Sequence, residues 1–543
     1  MSWNIADIWE RIAATIPSEP ALLHRDRTIS WSEFDRQATA MARRLLAGGA
    51  RPGDKIAIYS HNRPEYLIAV FAAIKARLIP VNVNYRYRLA ELEYLFDNSD
   101  AVAVVFEGSF AERLAEVRPR LPKLRDFIHI EDGTPRPPWA SSFEDAVSGE
   151  SEPLGIERSP DDLIFIYTGG TTGMPKGVMW RQEDIWRTLG AGGDFLTGRG
   201  KPATLDEHAD AIAAASKRMR LLPACPLMHG TGLLTAISTL VRGGSIVTLA
   251  GRRFDPHELW SEVEAKQVDT IAIVGDVFAR PMLDALAERH YDISSVRVII
   301  SSGVLWSPEV KKGLLAYNRH MVLLDTLGAS EGTGFGTSIT TAEGTSEPAR
   351  FKVGSRVKVF TDDGREVRPG SGERGRVARS GAIPIGYYKD PEKTAETFPV
   401  IGGVRYAMPG DYATVAADGT LVLLGRGSVC INTGGEKVFP EEVESVLRRH
   451  PAVADAAVVG LPDPRWGEAV TALVTARQGG PVPGESDLRE HVRRHLAGYK
   501  VPKRIFTVES LPRSPAGKLD YKAARELAAQ LAGTKTNSEP TTR

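Results

Sequence analysis

Between Tyr167 and Gly177 the chain reads YTGGTTGMPKG, a run of small, hydroxyl and cationic residues whose chemistry suits a phosphate group. Thr168, Thr171 and Thr172 offer hydroxyl donors, Gly169, Gly170 and Gly173 let backbone N–H groups approach an anion, and Lys176 adds a point charge. A Walker A loop does not fit, because Pro175 stands where its second glycine is needed and Gly177 where the magnesium-binding hydroxyl belongs. Taken alone, the run is also compatible with a Gly/Thr-rich surface turn. Further on, DTLGASE at 325–331 sets a carboxylate, Glu331, behind a glycine turn. Taken alone, that carboxylate is equally an ordinary solvated loop glutamate.

These residues need rigid elements to hold them. The apolar run Leu163 to Tyr167 predicts a buried strand that ends at the phosphate-binding loop. Runs such as KIAIYS, AVAVVF, DLIFIY, SIVTLA, TIAIVG and VRVIIS alternate with amphipathic stretches such as PEYLIAVFAAIKA and PHELWSEVEAKQ. That alternation predicts an α/β fold with parallel sheets covered on both faces. From about residue 350 the texture changes to short β-rich pieces with turns, and residues 438–525 read as a compact α/β module. In that module FPEEVESVLRRHP is a helix, and AVADAAVVG and AVTALVTA are strands. The stretch 190–218 predicts a loop leading into a surface helix over AIAAASKRMR, and the polar residues 526–543 predict a disordered tail.

At 543 residues the chain is long enough for at least two domains. Lys plus Arg equals Asp plus Glu at 68 each, a balance that argues against nucleic acid as the main partner. Two cysteines, Cys225 and Cys430, make no disulfide framework and fit a reducing cytoplasm. The opening residues read as no signal peptide, and no run of eighteen apolar residues predicts a membrane span.

The phosphate-binding run resembles the YTSGTTGxPKG loop of the adenylate-forming (ANL) superfamily of acyl-CoA synthetases, peptide-synthetase adenylation domains and luciferases, with Gly169 in place of its Ser. Other motifs in order support the resemblance: DTLGASE is similar to YGxTE, MPGDYA carries a TGD-like aspartate at Asp411, and GRGSVCINTGGEKVFPEEVE at 425–444 is similar to GRxKDxIxxGGExIxPxEVE. LPRSPAGKLD at 511–520 is similar to LPRTxxGK. SSGVLWSP at 301–308 and SEGTGFG at 330–336 bring the chain near the branch acting on steroid-side-chain and other bulky acids, which has SGGALFSP and SSETGFG there.

The resemblance implies a role for each residue. Ser302, Gly303 and Val304 would line the adenine site with Asp325, Thr326 and Leu327, where Leu327 replaces the family's tyrosine. Glu331 would hold the magnesium of MgATP, Asp411 the ribose hydroxyls, and Arg426 the ribose and phosphate. Lys518 would bridge carboxylate and α-phosphate during adenylation. Gly434, Gly435, Glu436 and Lys437 would face coenzyme A, and Val429 would mark the hinge. His229 and Gly230 in PLMHGTG, with Gly275 and Asp276 in GDVFARP, would line the acyl pocket, where GTGLLTAI carries no acid to pair an amine. From Arg489 to Arg525 ten basic residues face three acidic ones, a balance that suits the phosphates of CoA and equally an ordinary solvated face.

The implied architecture is a large N-terminal domain of stacked α/β sheets over 1–425, with a β-rich subdomain at about 350–425. A hinge at 426–430 and a small mobile α/β domain over 431–525 follow. The implied function is an acyl-CoA synthetase that makes the CoA thioester of a bulky apolar acid through an acyl-adenylate. Gly332 looks inserted beside Glu331, and one residue adds up to about 3.5 Å of chain. A second reading is therefore a ligase impaired in adenylation that takes an acyl-adenylate from a separate enzyme, and a third is a nonenzymatic nucleotide or acyl-adenylate binder.

Overall fold

Ala101–Glu107 is apolar or neutral at nearly every position and lies buried along its whole length, as a strand must when helices cover both faces of its sheet. The computed structural model describes residues 3–87, 89–168, 174–193, 198, 200–303, 306–345, 350–433, 436–463, 467–477, 480, 484–496, 498–514 and 517–536. The chain forms two compact units. The first holds Met1–Pro348, Lys352–Val357 and Arg379–Pro409, and the second holds Ala349–Phe351, Lys358–Ala378 and Gly410–Arg543. Residues 358–378 and 410–425, which the sequence places with the large domain, thus fall in the second unit.

Two sheets build the first unit. One runs Gly386–Tyr387, Lys176–Arg181, Leu163–Thr168, Ile79–Asn82, Lys55–Tyr59, Ala101–Glu107, Asp126–Ile130 and Ser141–Ser142. It is parallel from Leu163–Thr168 onward, and the first two strands are antiparallel additions. The other runs Gly344–Thr345, Gly332–Thr341, Val322–Ala329, Val298–Ser302, Thr270–Ile273, Arg220–Pro223, Ser245–Thr248, Pro20–His24 and Arg27–Ser30, again parallel through its middle. The helix Pro64–Lys75 is buried at every residue, which its all-round apolar sequence requires. The helix Trp31–Ala47 starts on Ser30, whose hydroxyl accepts from Glu33 N–H at 3.2 Å, a sequence-readable cap.

In the second unit, Glu436–Val438, Ile431–Thr433, Gly467–Ala476 and Val453–Asp463 form a sheet extended by Arg504–Thr507. Along Val453–Asp463 successive side chains point to opposite faces. Ala456 and Val458 meet Val443, Val446 and Leu447 of the helix Pro440–Arg448 and Leu488 and Val492 of Glu485–His495. Ala457 and Val459 meet Ala524 and Ala528 of the helix Tyr521–Thr536.

Two expectations are corrected. The helix Tyr521–Thr536 continues through residues 526–536, which the polar composition had assigned to a disordered tail. Its small apolar residues Ala524 and Ala528, one turn apart, are fully buried on the sheet. Upstream, the helix of the 190–218 stretch is Leu205–Ala213 rather than the later AIAAASKRMR. It starts where Thr204 caps Glu207 N–H, and it buries His208, Ala209 and Ile212 instead of lying on the surface. Among the described residues no helix is long and apolar enough to cross a membrane.

Candidate active site

Four neighbouring parallel strands, Arg220–Pro223, Thr270–Ile273, Val298–Ser302 and Val322–Ala329, deliver motif residues at their carboxyl ends. The crevice outside such ends is where open α/β sheets take ligands. His229 lies beyond the first strand, Gly275 and Asp276 follow the second, Ser302 and Gly303 close the third, and Asp325, Thr326 and Leu327 lie in the fourth. Register sets Ser302 beside Thr326, whose carbonyl accepts from Ser302 Oγ at 3.1 Å. Gly275 N–H donates to Ser301 Oγ at 3.0 Å, and Asp276 accepts from Ser307 N–H at 3.0 Å. Gly303 has φ +89°, a left-handed turn that glycine allows at no steric cost. Val304 lies outside the described residues.

The residues on either side of 169–173 belong to the other sheet. Leu163–Thr168 and Lys176–Arg181 form an antiparallel ladder with Thr168 directly opposite Lys176, so these two bracket the loop. Gly169, Gly170, Thr171, Thr172 and Gly173 lie outside the described residues. The Lys176 ammonium pairs with Asp390 and holds that carboxyl below the usual carboxylate range. Asp390 also caps the helix Pro391–Thr397 by accepting from Lys393 N–H at 2.9 Å. Buried Asn82 joins this loop to the acyl motif. Its Nδ2 donates to Tyr167 O at 2.9 Å and to Met228 O at 2.6 Å, and its Oδ1 accepts from Tyr167 N–H at 2.6 Å.

Glu331 sits at the tip of a hairpin. Ala329 pairs with Gly332, so the turn is Ser330–Glu331 itself, and Gly328 lies inside the strand rather than at the bend. Trp180 Nε1 donates to Ser330 O at 2.9 Å, and Tyr387 Oη donates to Glu331 Oε1 at 2.7 Å. A Cβ placed on Gly230 would lie 3.9 Å from Ser330 Oγ, so the His229 motif and the hairpin tip meet.

Gly332 pairs in the ladder, so it lies in the strand that follows Glu331 and not in the turn. Between Leu327↔Gly336 and Ala329↔Gly332 the ladder shifts, which marks a β-bulge after Gly332. Gly334, at φ +70°, makes the bend. Beneath it Arg379 donates to Thr188 Oγ1 at 2.7 Å, and Thr188 Oγ1 lies 2.8 Å from Thr333 Oγ1. Burial and the nearby Arg356 pull the Arg379 guanidinium down to about 10.

Asp325 pairs with the ammonium of Lys311, which projects from the helix Pro308–Tyr317 and lies 5.4 Å from the Trp306 ring centroid. Burial nevertheless pushes the Asp325 carboxyl up, outweighing Lys311.

In the second unit Asp411 pairs with Arg426 across two antiparallel strands. Gly425 between them has φ +121°, and a Cβ there would fall 2.0 Å from Glu441 Oε2, so only glycine fits. Val429 ends a single 3-10 turn, Gly427–Val429. Glu436 and Lys437 pair with Thr433 and Asn432 in the ladder, while Gly434 and Gly435 lie outside the described residues, as do the side chains of Arg426, Glu436 and Lys437. Lys518 is exposed on a loop closed by the bridge Arg513↔Leu519.

Residues 9–388 match the AMP-binding enzyme family, and residues 442–518 match its C-terminal domain. The chain belongs to the AMP-binding enzyme family. Its adenylate-forming resemblance therefore holds, and so does the α/β architecture of a large and a small domain.

This AMP-binding enzyme is 44% identical over 535 residues to the medium/long-chain-fatty-acid–CoA/3-oxocholest-4-en-26-oate–CoA ligase of Mycobacterium marinum, covering 96% of each chain. It is 42% identical to the 3-oxocholest-4-en-26-oate–CoA ligase of Rhodococcus rhodochrous, covering 97% of this chain and 96% of that one. In fold it is similar to an anthranilate CoA ligase solved with anthranoyl-AMP, with a TM-score of 0.83 at 23% identity over 98% of both chains.

Sequence reasoning missed Asp390, Tyr387, Asn82 and Lys311. The run GYYKD at 386–390 gave the one available signal for two of them, a pair of tyrosines followed by a lysine and an acid just before a helix.

Proposed function

We infer that this AMP-forming acid–thiol ligase activates a largely apolar carboxylic acid with ATP and passes the acyl group to coenzyme A. What supports the reading is a set of contacts among motif residues: Ser302 bonds to Thr326, Tyr387 donates to Glu331 and borders Lys176, and Gly230 approaches Ser330. The relatives' names point to medium- and long-chain fatty acids and steroid-side-chain acids as the substrates to propose. The helix behind His229, Gly230–Leu240, reads GTGLLTAISTL and carries no ionised side chain, which suits an uncharged acyl chain.

In the first step a carboxylate oxygen attacks the α-phosphorus of ATP, and the bond to pyrophosphate breaks. Lys176 and the amides of the phosphate-binding loop take up charge on the departing phosphates, and Lys518 bridges the carboxylate and the α-phosphate. Asp325 and Leu327 border the adenine, and Asp411 and Arg426 hold the ribose. Glu331, a carboxylate at a hairpin tip, would hold a Mg2+ arriving with ATP, and that ion would supply charge neutralisation. In the second step the CoA thiol loses its proton and attacks the acyl carbonyl, and the C–O bond to AMP breaks. The 434–437 loop serves this step, exchanged for Lys518 by rotation at Val429. The reaction belongs in the cytoplasm, where ATP and CoA are supplied, and needs no separate adenylating enzyme.

Acid-dependent exchange of labelled pyrophosphate into ATP tests the first step. Exchange with long-chain or steroid-side-chain acids supports the reading, and no exchange with any acid of either class overturns it.

A further inference from the structure

Lys518 is exposed, so something other than burial must aim it. Ser514 N–H donates to Lys518 O at 2.7 Å, Gly517 N–H donates to Ser514 O at 2.8 Å, and Arg513 bridges Leu519, while residues 515 and 516 lie outside the described residues. Arg513 makes further contacts. Its Nη1 donates to Gly517 O at 2.6 Å, while its Nη2 pairs with the Asp455 carboxylate on the sheet. The Gly517 carbonyl belongs to the peptide plane that leads into Lys518, so fixing that oxygen fixes the direction in which the lysine leaves the backbone. Gly517 itself has φ +79°, a left-handed conformation that glycine adopts at no steric cost.

The anchor beneath is a continuous charged network. Arg448 Nε donates to Asp455 at 2.9 Å, and its Nη2 donates to buried Glu444 at 3.2 Å and to Ala456 O at 3.0 Å. Glu444 also accepts from Val458 N–H at 2.9 Å and from Tyr521 Oη at 3.1 Å. Tyr521 opens the helix that begins three residues after Lys518. The lysine loop is thus held at its start by Arg513 through Asp455 and at its end by Tyr521 through Glu444, with Arg448 joining the two.

We propose that Arg513, braced by Asp455, is a positioning residue for adenylation, setting the peptide plane from which Lys518 reaches the reacting carboxylate and phosphate. This rests on the assignment of Lys518 to adenylation. A planar fork is needed, because one donor group must satisfy a carboxylate and a carbonyl at once, which a lysine ammonium on a flexible stem does not do in fixed geometry. A misplacement of about 1 Å at a reacting group costs roughly a hundredfold, so a loosened loop is expected to cost about tenfold or more.

The test uses the full chain and measures two half-reactions: acid-dependent ATP–pyrophosphate exchange, and thioester formation from a synthetic acyl-adenylate with CoA. Arg513→Gln is expected to lower kcat for exchange at least tenfold, with KM for ATP and the rate from acyl-adenylate within about twofold of the parent. Arg513→Lys keeps the charge facing Asp455 but not the fork, and is expected to show the same selective loss. Unchanged exchange in both variants, or equal loss of both half-reactions, overturns the proposal. Lys518→Ala is run alongside, and if it retains full exchange the assignment beneath the proposal fails instead.

Discussion

Tyr387 Oη donates to Glu331 Oε1 across 2.7 Å, linking the residue proposed to meet Mg2+ to a tyrosine 56 positions later in the chain. The Tyr387 ring also lies 5.9 Å from the Lys176 ammonium, so one phenol borders both Glu331 and Lys176. A hydrogen bond to a charged group is worth about 1.5–3 kcal/mol. Tyr387→Phe is therefore expected to lower kcat for acid-dependent pyrophosphate exchange about tenfold and to raise the Mg2+ concentration needed for half-maximal exchange. A Mg2+ titration of the exchange reaction checks both.

Asn82 makes three buried hydrogen bonds, to Tyr167 on the phosphate-loop strand and to Met228 beside His229. Asn82→Leu, close in volume, leaves those backbone groups without their partner at about 1–3 kcal/mol each. The expected result is a loss of about 3 kcal/mol or more in chemical denaturation, with both half-reactions slowed together, in contrast to Tyr387→Phe.

Gly332 leaves no room for a side chain, since a Cβ there would fall 2.8 Å from the Phe335 ring and 3.6 Å from Ala407. Overpacking of this kind costs about 1–3 kcal/mol. Gly332→Ala is expected to lower stability by that amount, and deletion of Gly332 is expected to give no gain in pyrophosphate exchange. Thermal unfolding and the exchange assay read the two outcomes.

Contiguous motifs were legible because each needs one short stretch of chain: Thr168 stands opposite Lys176 in one ladder, and Asp411 opposite Arg426 in another. Their partners were not. Asp390 meets Lys176 across 214 positions, and Asn82 meets Met228 across 146, contacts created by strand order in the sheets and invisible to local periodicity. The pairing of Gly332 was not legible either, because the sequence says how long the segment is, whereas the register decides which positions pair and where a bulge falls. The helix Tyr521–Thr536 escaped notice because its packed face is built of small alanines with Leu527 and Leu531 only partly buried, a weak signal next to the polar end of the chain.

Asp455 gives the pH dependence a sign. Burial raises its pKa, but Arg448 and then Arg513 outweigh burial and leave it below 3.8. Its contribution to stability is therefore fully present above the unfolded value and is lost as pH falls through the lower folded value. The stability gap between the parent and Asp455→Asn is expected to be constant from about pH 7 to pH 5 and to shrink below about pH 4. Urea unfolding across that range checks it.

The central claim is that one chain carries an acid through to its thioester. Mass spectrometry of reactions holding a long-chain or steroid-side-chain acid with MgATP and CoA, beside the matching synthetic acyl-adenylate with CoA, tests it most directly. The account predicts the same acyl-CoA product from both. Product from the acyl-adenylate alone, with none from acid and ATP, would contradict it.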